Sequence, residues 1–157
     1  MSDVEVQSEI EKITNNKTAI EKYNTHIQGL QHEIDKLKDT IKDKDGVNNK
    51  IEKLGNFQAQ FQSKLKECTK HKNFYEQNDN CPTCKQVLSN KQELIADNNK
   101  QVMKWNQALE DVQREIQTLS GRLNKIKSIE QDMRTTEIDI AKFGQSKVEL
   151  NNINTKL

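Results

Sequence analysis

Residues 77–90 read QNDNCPTCKQVLSN and lie almost at the middle of a chain of 157 residues. They contain the single proline, Pro82, and two of the three cysteines, Cys81 and Cys84. Proline has no backbone N–H and disfavours the helical conformation for the residue before it, so a helix is not expected to run unbroken through this stretch. The stretch therefore predicts a turn at the midpoint, and the flanking halves decide what that turn connects.

The composition favours long helices that share a narrow apolar stripe. Aromatic residues make up 4% of the chain, hydrophobic residues 32% and charged residues 31%. Too few apolar side chains are present to fill a thick core. Two helices that meet along one stripe need far fewer, because charged and amide side chains solvate their other faces.

Apolar residues recur every seven positions through the first half of the chain. The series is Val6, Ile13, Ile20, Ile27, Ile34 and Ile41, and Tyr23, Leu30 and Leu37 lie three positions after some of its members. β-Branched residues at a and leucine at d are typical of a seam between two helices, and polar exceptions such as Asn16 and Lys44 are common. The stripe resumes with Val47, Ile51, Leu54, Phe57, Phe61, Leu65 and Cys68. Consecutive steps of four residues within this series predict a local change of phase.

The second half repeats this design. Its series is Val102, Leu109, Ile116 and Leu123, each followed at three positions by Trp105, Val112, Leu119 and Ile126. A phase slip is expected near Ile129, after which the stripe continues through Met133, Ile140, Phe143, Leu150 and Leu157. Ser89 with Gln92 three positions later is a capping-box pattern and predicts the start of this helix.

Two arms of nearly equal length predict an all-α fold, a long antiparallel coiled-coil hairpin. Residues 1–76 form the ascending arm, 77–88 the apex and 89–157 the descending arm. The numbers of paired residues then add up to about 165, and each arm is roughly 100 Å long at the rise of an α-helix. Gly46 and Gly121 would lie opposite each other in weak helix-forming stretches, which predicts a joint where both arms can bend.

Charge and hydropathy exclude several classes of function. The net charge of +1 gives no electrostatic reason to expect binding to nucleic acid or to an anionic membrane. No apolar run approaches the roughly 18 residues of a membrane helix, and the N-terminus has no signal-peptide pattern. We expect a reducing, intracellular setting, where a Cys-x-x-Cys pair more often binds a metal or performs redox chemistry than forms a structural disulfide.

Cys81 and Cys84 can supply two of the four ligands that structural zinc requires. Cys68 and His71 of the same chain could complete the site, but Cys68 falls in the phase of the apolar stripe, where cysteine behaves as a small buried residue. A redox dithiol of the thioredoxin type would need a βαβ fold, for which no strand pattern is visible. A chance pair without metal is a further alternative. A second copy of the chain, meeting the first tip to tip, would supply the same two cysteines again.

The motif resembles the zinc hook of the SMC-like ATPases of DNA double-strand-break repair, a family with members in archaea, eukaryotes, bacteria and phages. Cys81, Pro82 and Cys84 match its Cys-Pro-x-Cys motif, and Leu88 matches a leucine common four positions after the second cysteine. Lys85 departs from the glycine that many members carry there. The hook turn that the resemblance implies comprises Pro82, Thr83 and Leu88.

The resemblance implies a homodimer that shares one Zn²⁺ between two chains, through Cys81 and Cys84 of each. Family members continue beyond their coiled coils into an ATPase head that binds DNA and a nuclease subunit. Here the chain has no phosphate-loop motif, and its stripe runs to both ends, so we expect a non-catalytic part of such a protein. Its expected role is to join two complexes through their tips, in the cytoplasm, or in the host cytoplasm for a phage member.

The alternative is a generic coiled-coil scaffold. In that case the cysteine knuckle binds zinc within one chain, through Cys68, His71, Cys81 and Cys84, or binds none.

Overall fold

A computed structural model describes residues 2–80 and 90–156 of the chain. The described residues form three α-helices, α1 (Asp3–Thr40), α2 (Lys44–Gln77) and α3 (Lys91–Lys156). No β-strand occurs in these two ranges. The predicted all-α class is therefore confirmed.

Local hydrogen bonds define both ends of α1. At its start the hydroxyl of Ser2 accepts the N–H of Glu5, and the Glu5 carboxylate accepts the N–H of Ser2, each at 3.3 Å. This capping box satisfies two donors that the first helical turn leaves without partners. At its end the Ile41 N–H donates to the Lys38 carbonyl at 3.3 Å, and α2 begins after a turn over residues 41–43.

The chain divides into two compact units. Unit 1 comprises Met1–Lys44 and Lys125–Leu157, and unit 2 comprises Asp45–Asn124. Unit 1 therefore contains α1 and the last part of α3, whereas unit 2 contains most of α2 and the first part of α3.

In unit 2, α2 and α3 run antiparallel. Rising positions in α2 contact falling positions in α3: Lys50 forms an ion pair with Glu115 at 2.9 Å, and the Phe61 ring lies 5.4 Å from that of Trp105. Nearer the ends of both helices at residues 77 and 91, the Asn98 amide bonds to the carbonyl of Cys68. These contacts have the register that the sequence predicts for the two arms.

In unit 1, α1 and α3 also run antiparallel. The Tyr23 ring lies 5.7 Å from that of Phe143, and the Asn16 amide donates to the side-chain oxygen of Asn154 at 2.9 Å. Polar residues thus occupy part of this seam, as the sequence pattern suggests for Asn16.

Burial follows the predicted stripes. Every hydrophobic residue buried in the described ranges belongs to one of the predicted series. They are Ile34, Val47, Leu54, Cys68, Leu109, Val112, Ile126 and Met133.

The prediction of a buried seam position is wrong for two residues, Phe57 and Val6. Phe57 is 46% exposed, and Gln58 is partly buried in its place, because the seam here keeps alternating steps of four and three. Phe57 lies beside the seam, where its ring stacks on Phe61 at 6.1 Å. Val6 is 41% exposed, because α3, which covers the stripe of α1, ends at Lys156.

The change of phase in the first arm lies earlier than predicted. Ile41, Lys44 and Val47 follow each other at three positions, and all are at least partly buried. Two successive steps of three shift the phase of the stripe. The shift coincides with the break between α1 and α2.

The phase slip predicted near Ile129 is confirmed. Leu123, Ile126 and Ile129 lie three positions apart and are all at least partly buried, yet α3 stays helical throughout. Gly46 and Gly121 both lie inside helices, and the joint proposed there stays a prediction.

The complete burial of Ile126 predicts a large cost of truncation. Ile126→Ala should lower the free energy of unfolding by about 3 kcal/mol, because it removes buried methyl groups and leaves a cavity in the seam. Ile126 is 0% exposed, whereas Ile138 of the same helix and the same unit is 56% exposed. Ile138→Ala is therefore the matched control and should change stability by less than about 1 kcal/mol. Chemical denaturation at one chain concentration measures both, and equal losses would contradict the assignment of the seam.

Candidate metal site and its flanking residues

The predicted metal ligands Cys81 and Cys84 lie outside the described residues. The same holds for the rest of the predicted hook turn and helix cap: Pro82, Thr83, Leu88 and Ser89. Gln92, the other half of the predicted capping box, lies in the first turn of α3. The structure therefore defines what flanks the candidate site on either side.

The end of α2 is closed by Asn78. Its backbone N–H donates to the carbonyl of Phe74 at 3.1 Å, and its side-chain amide donates to the same carbonyl at 2.8 Å. On the other side, α3 begins at Lys91, and the Asn90 carbonyl accepts the N–H of Leu94 at 3.0 Å. These hydrogen bonds to terminal backbone groups thus define the end of α2 and the start of α3.

An ion pair joins the two sides of the candidate site. The Lys91 ammonium donates to the Asp79 carboxylate at 2.9 Å. Lys91 is the more enclosed partner, with a side chain 25% exposed, compared with 91% for Asp79. Asp79 and Lys91, which lie on either side of residues 81–89 in the sequence, are therefore neighbours in space.

The hydrogen bond from Lys91, together with its positive charge, lowers the pKa of the Asp79 carboxyl. A carboxyl whose pKa is lower in the folded chain stabilises the fold above its unfolded pKa, and this contribution is lost as the pH falls through the folded value. Because Asp79 is exposed, solvent and salt screen the interaction. The ion pair is therefore weak, and it is lost when acid protonates Asp79.

Cys68 and His71, the ligands of the alternative one-chain site, differ in their environments. Cys68 is 7% exposed and lies in the seam of unit 2, as its place in the stripe predicts. His71 is exposed, one turn further along α2. Within residues 2–80 and 90–156, no group of three or more His, Cys, Asp or Glu side chains could hold a metal ion.

The predicted apolar series do not contain Asn98. It is 7% exposed, and its side-chain amide donates to the Cys68 carbonyl at 2.9 Å. A signal was present, because Asn98 lies seven positions before Trp105 and so continues the d series of the second arm. The apolar criterion alone started that series at Trp105.

None of the helices in the described ranges is both long and apolar enough to cross a membrane. No protein-family model, curated protein or solved structure matches the chain.

The pairing of Asp79 with Lys91 can be tested by titration. Lys91→Gln should raise the pKa of Asp79 towards the ordinary value of aspartate, because it removes the neighbouring positive charge. NMR titration of the Asp79 carboxyl carbon measures this pKa. Lys100→Gln, at an exposed lysine of the same helix, is the control and should leave it unchanged. An Asp79 pKa that does not respond to Lys91→Gln would show that the ion pair is absent in solution.

Proposed function

We propose that this chain is a zinc-dependent dimerisation module, an antiparallel coiled-coil hairpin with Cys81 and Cys84 at its apex. Two copies share one Zn²⁺ through four cysteines. The resemblance of the Cys-Pro-x-Cys motif to the zinc hook suggests the chemistry, and the register of unit 2 supports the position of the motif.

That register is the observation that carries the proposal. Phe61 contacts Trp105, and Cys68 contacts Asn98. In a hairpin, the turn is centred midway between paired residues, and both pairs give a centre at residue 83. The centre expected from the described helices therefore coincides with the cysteine pair.

The donor set fits a shared ion better than an ion within one chain. Structural zinc binds four ligands in a tetrahedron, and two thiolates from each of two chains satisfy it with two-fold symmetry. When bound, the ion supplies a link between the two chains and no catalytic chemistry. Because thiolates bind the metal and protons compete for them, acid should weaken the dimer.

The burial of Cys68 argues against the one-chain knuckle. Its side chain is packed between α2 and α3 in the seam of unit 2. To become a zinc ligand it would have to leave this packing, and the vacated space would destabilise the seam. No comparable cost applies to the cysteines of a second copy.

The biological role that we propose follows from the resemblance. In the repair ATPases that carry a zinc hook, the hook lies far along the coiled coil from the ATPase head. A module of this kind would join two such complexes, and so hold together the DNA ends or sister duplexes to which they bind.

Metal stoichiometry tests the shared site. The wild-type chain should bind one zinc ion per two chains, and a chelator should convert the dimer to monomer. Elemental analysis combined with light scattering at a single chain concentration gives both quantities. The double variant Cys81→Ser, Cys84→Ser should lose the metal and the zinc-dependent dimer.

Cys68→Ala is the matched control. It should keep the stoichiometry and the dimer, because Cys68 is a seam residue. One zinc ion per chain, lost in Cys68→Ala, would instead support the one-chain knuckle. A dimer and metal content unaffected by the double serine variant would contradict both sites.

A further inference from the structure

Asn98 is the buried polar residue of the described ranges, at 7% exposure. Its amide nitrogen lies 2.9 Å from the carbonyl oxygen of Cys68 on the facing helix. A buried amide without a hydrogen bond is costly, so the partner matters for the fold. The bond crosses from α3 to α2 and therefore depends on how the two helices are aligned.

The small side chain of Cys68 leaves room for this bond. Cys68 belongs to a seam series in α2 whose neighbours, seven positions before and after, are Phe61 and Tyr75. A slip of one heptad between the helices would bring Asn98 opposite one of these aromatic side chains. The ring would then occupy the space through which the amide reaches the backbone carbonyl.

The same slip would separate the aromatic pair next along the seam. Trp105 lies against Phe61, with ring centroids 5.4 Å apart. After a slip of seven it would face Leu54 or Cys68. An apolar seam alone tolerates such slips, since leucine, valine and isoleucine pack in several registers, whereas a single buried Asn is an established means of specifying one register in a coiled coil.

Register decides which residues stand at the centre of the turn. A slip of one heptad moves the centre of a hairpin by between three and four residues, because the shift is shared by the two arms. The centre of the turn would then no longer lie between Cys81 and Cys84. A hook that must present both cysteines to a second copy therefore needs one register.

We propose that Asn98, paired with the small residue Cys68, is the positioning residue that fixes the register of unit 2 and thereby centres the turn on the cysteine pair. The second part of this inference, the centring of the turn on the cysteine pair, rests on the proposed function. The register itself can be measured without metal, so the two can fail separately.

Disulfide trapping measures the register. The parent for the test is the full chain with its native cysteines replaced, as Cys68→Ala, Cys81→Ser and Cys84→Ser. Alanine at position 68 keeps the room next to Asn98. Lys50→Cys with Glu115→Cys reports the observed register, because these residues face each other in an ion pair of 2.9 Å.

Slipped registers are reported by two other pairs. Lys50→Cys is combined with Ala108→Cys for a slip in one direction, or with Arg122→Cys for the other. Each pair is oxidised mildly at low chain concentration, and disulfides within one chain are separated from those between chains by electrophoresis. With Asn98 present, the pair at residues 50 and 115 should form almost all of the disulfide.

Asn98→Leu should raise the ratio of slipped to native disulfide at least tenfold, while the melting temperature stays the same or increases, because leucine packs in the seam without a polar group. Asn99→Leu is the matched control at the exposed neighbouring residue, and it should leave the ratio unchanged. Circular dichroism checks that all variants remain helical. This combination separates positioning from a general contribution to stability.

If Asn98→Leu forms only the native disulfide, or if Asn99→Leu raises the slipped fraction equally, the role of Asn98 is disproved. In the chain with its native cysteines, Asn98→Leu should reduce the zinc-linked dimer fraction relative to wild type. A wild-type chain that shares no zinc would contradict the proposed function, and the disulfide ratio would still decide whether Asn98 fixes the register.

Discussion

Burial of a single stripe of side chains between two helices is the constraint on which both units depend. With 31% charged residues, the chain can hide only this stripe from water. The buried residues are accordingly few and lie in a row, and Ile34 and Ile126 are the largest that are enclosed completely. Because so few positions carry the stabilising burial, each truncation within the stripe removes a large share of it.

The alignment of the stripe also explains where α1 ends. Two successive steps of three occur in the first arm around Lys44, and two occur in the second arm around Ile126. Such a shift changes the local winding of a coiled coil. The first arm accommodates it by a break over residues 41–43, while α3 remains continuous, and Lys44 forms an ion pair with Glu130 at 2.8 Å.

Polar residues in the seams supply specificity that apolar packing lacks. Asn98 bonds to a backbone carbonyl in unit 2. In unit 1, Asn16 and Asn154 bond to each other, and Asn154 also donates to the carbonyl of Ile13 at 3.4 Å. Each unit thus contains a hydrogen bond that a side-chain amide donates from one helix to the other. These bonds add little net stability, but the alternatives that leave an amide unpaired are costly.

The sequence by itself determined the helical class, the stripe and the place of Cys68 within it, because a period of three and four residues selects one face of a helix whatever that face meets. It also marked the Cys-Pro-x-Cys segment by the helix-breaking proline. Only the tertiary structure decided that Gln58 and not Phe57 lies in the seam, that the Asn98 amide meets the Cys68 carbonyl, and that the shift of phase breaks the first arm at residues 41–43 while α3 stays continuous. These features depend on which residue of the facing helix comes opposite, and periodicity along one helix carries no information about that partner.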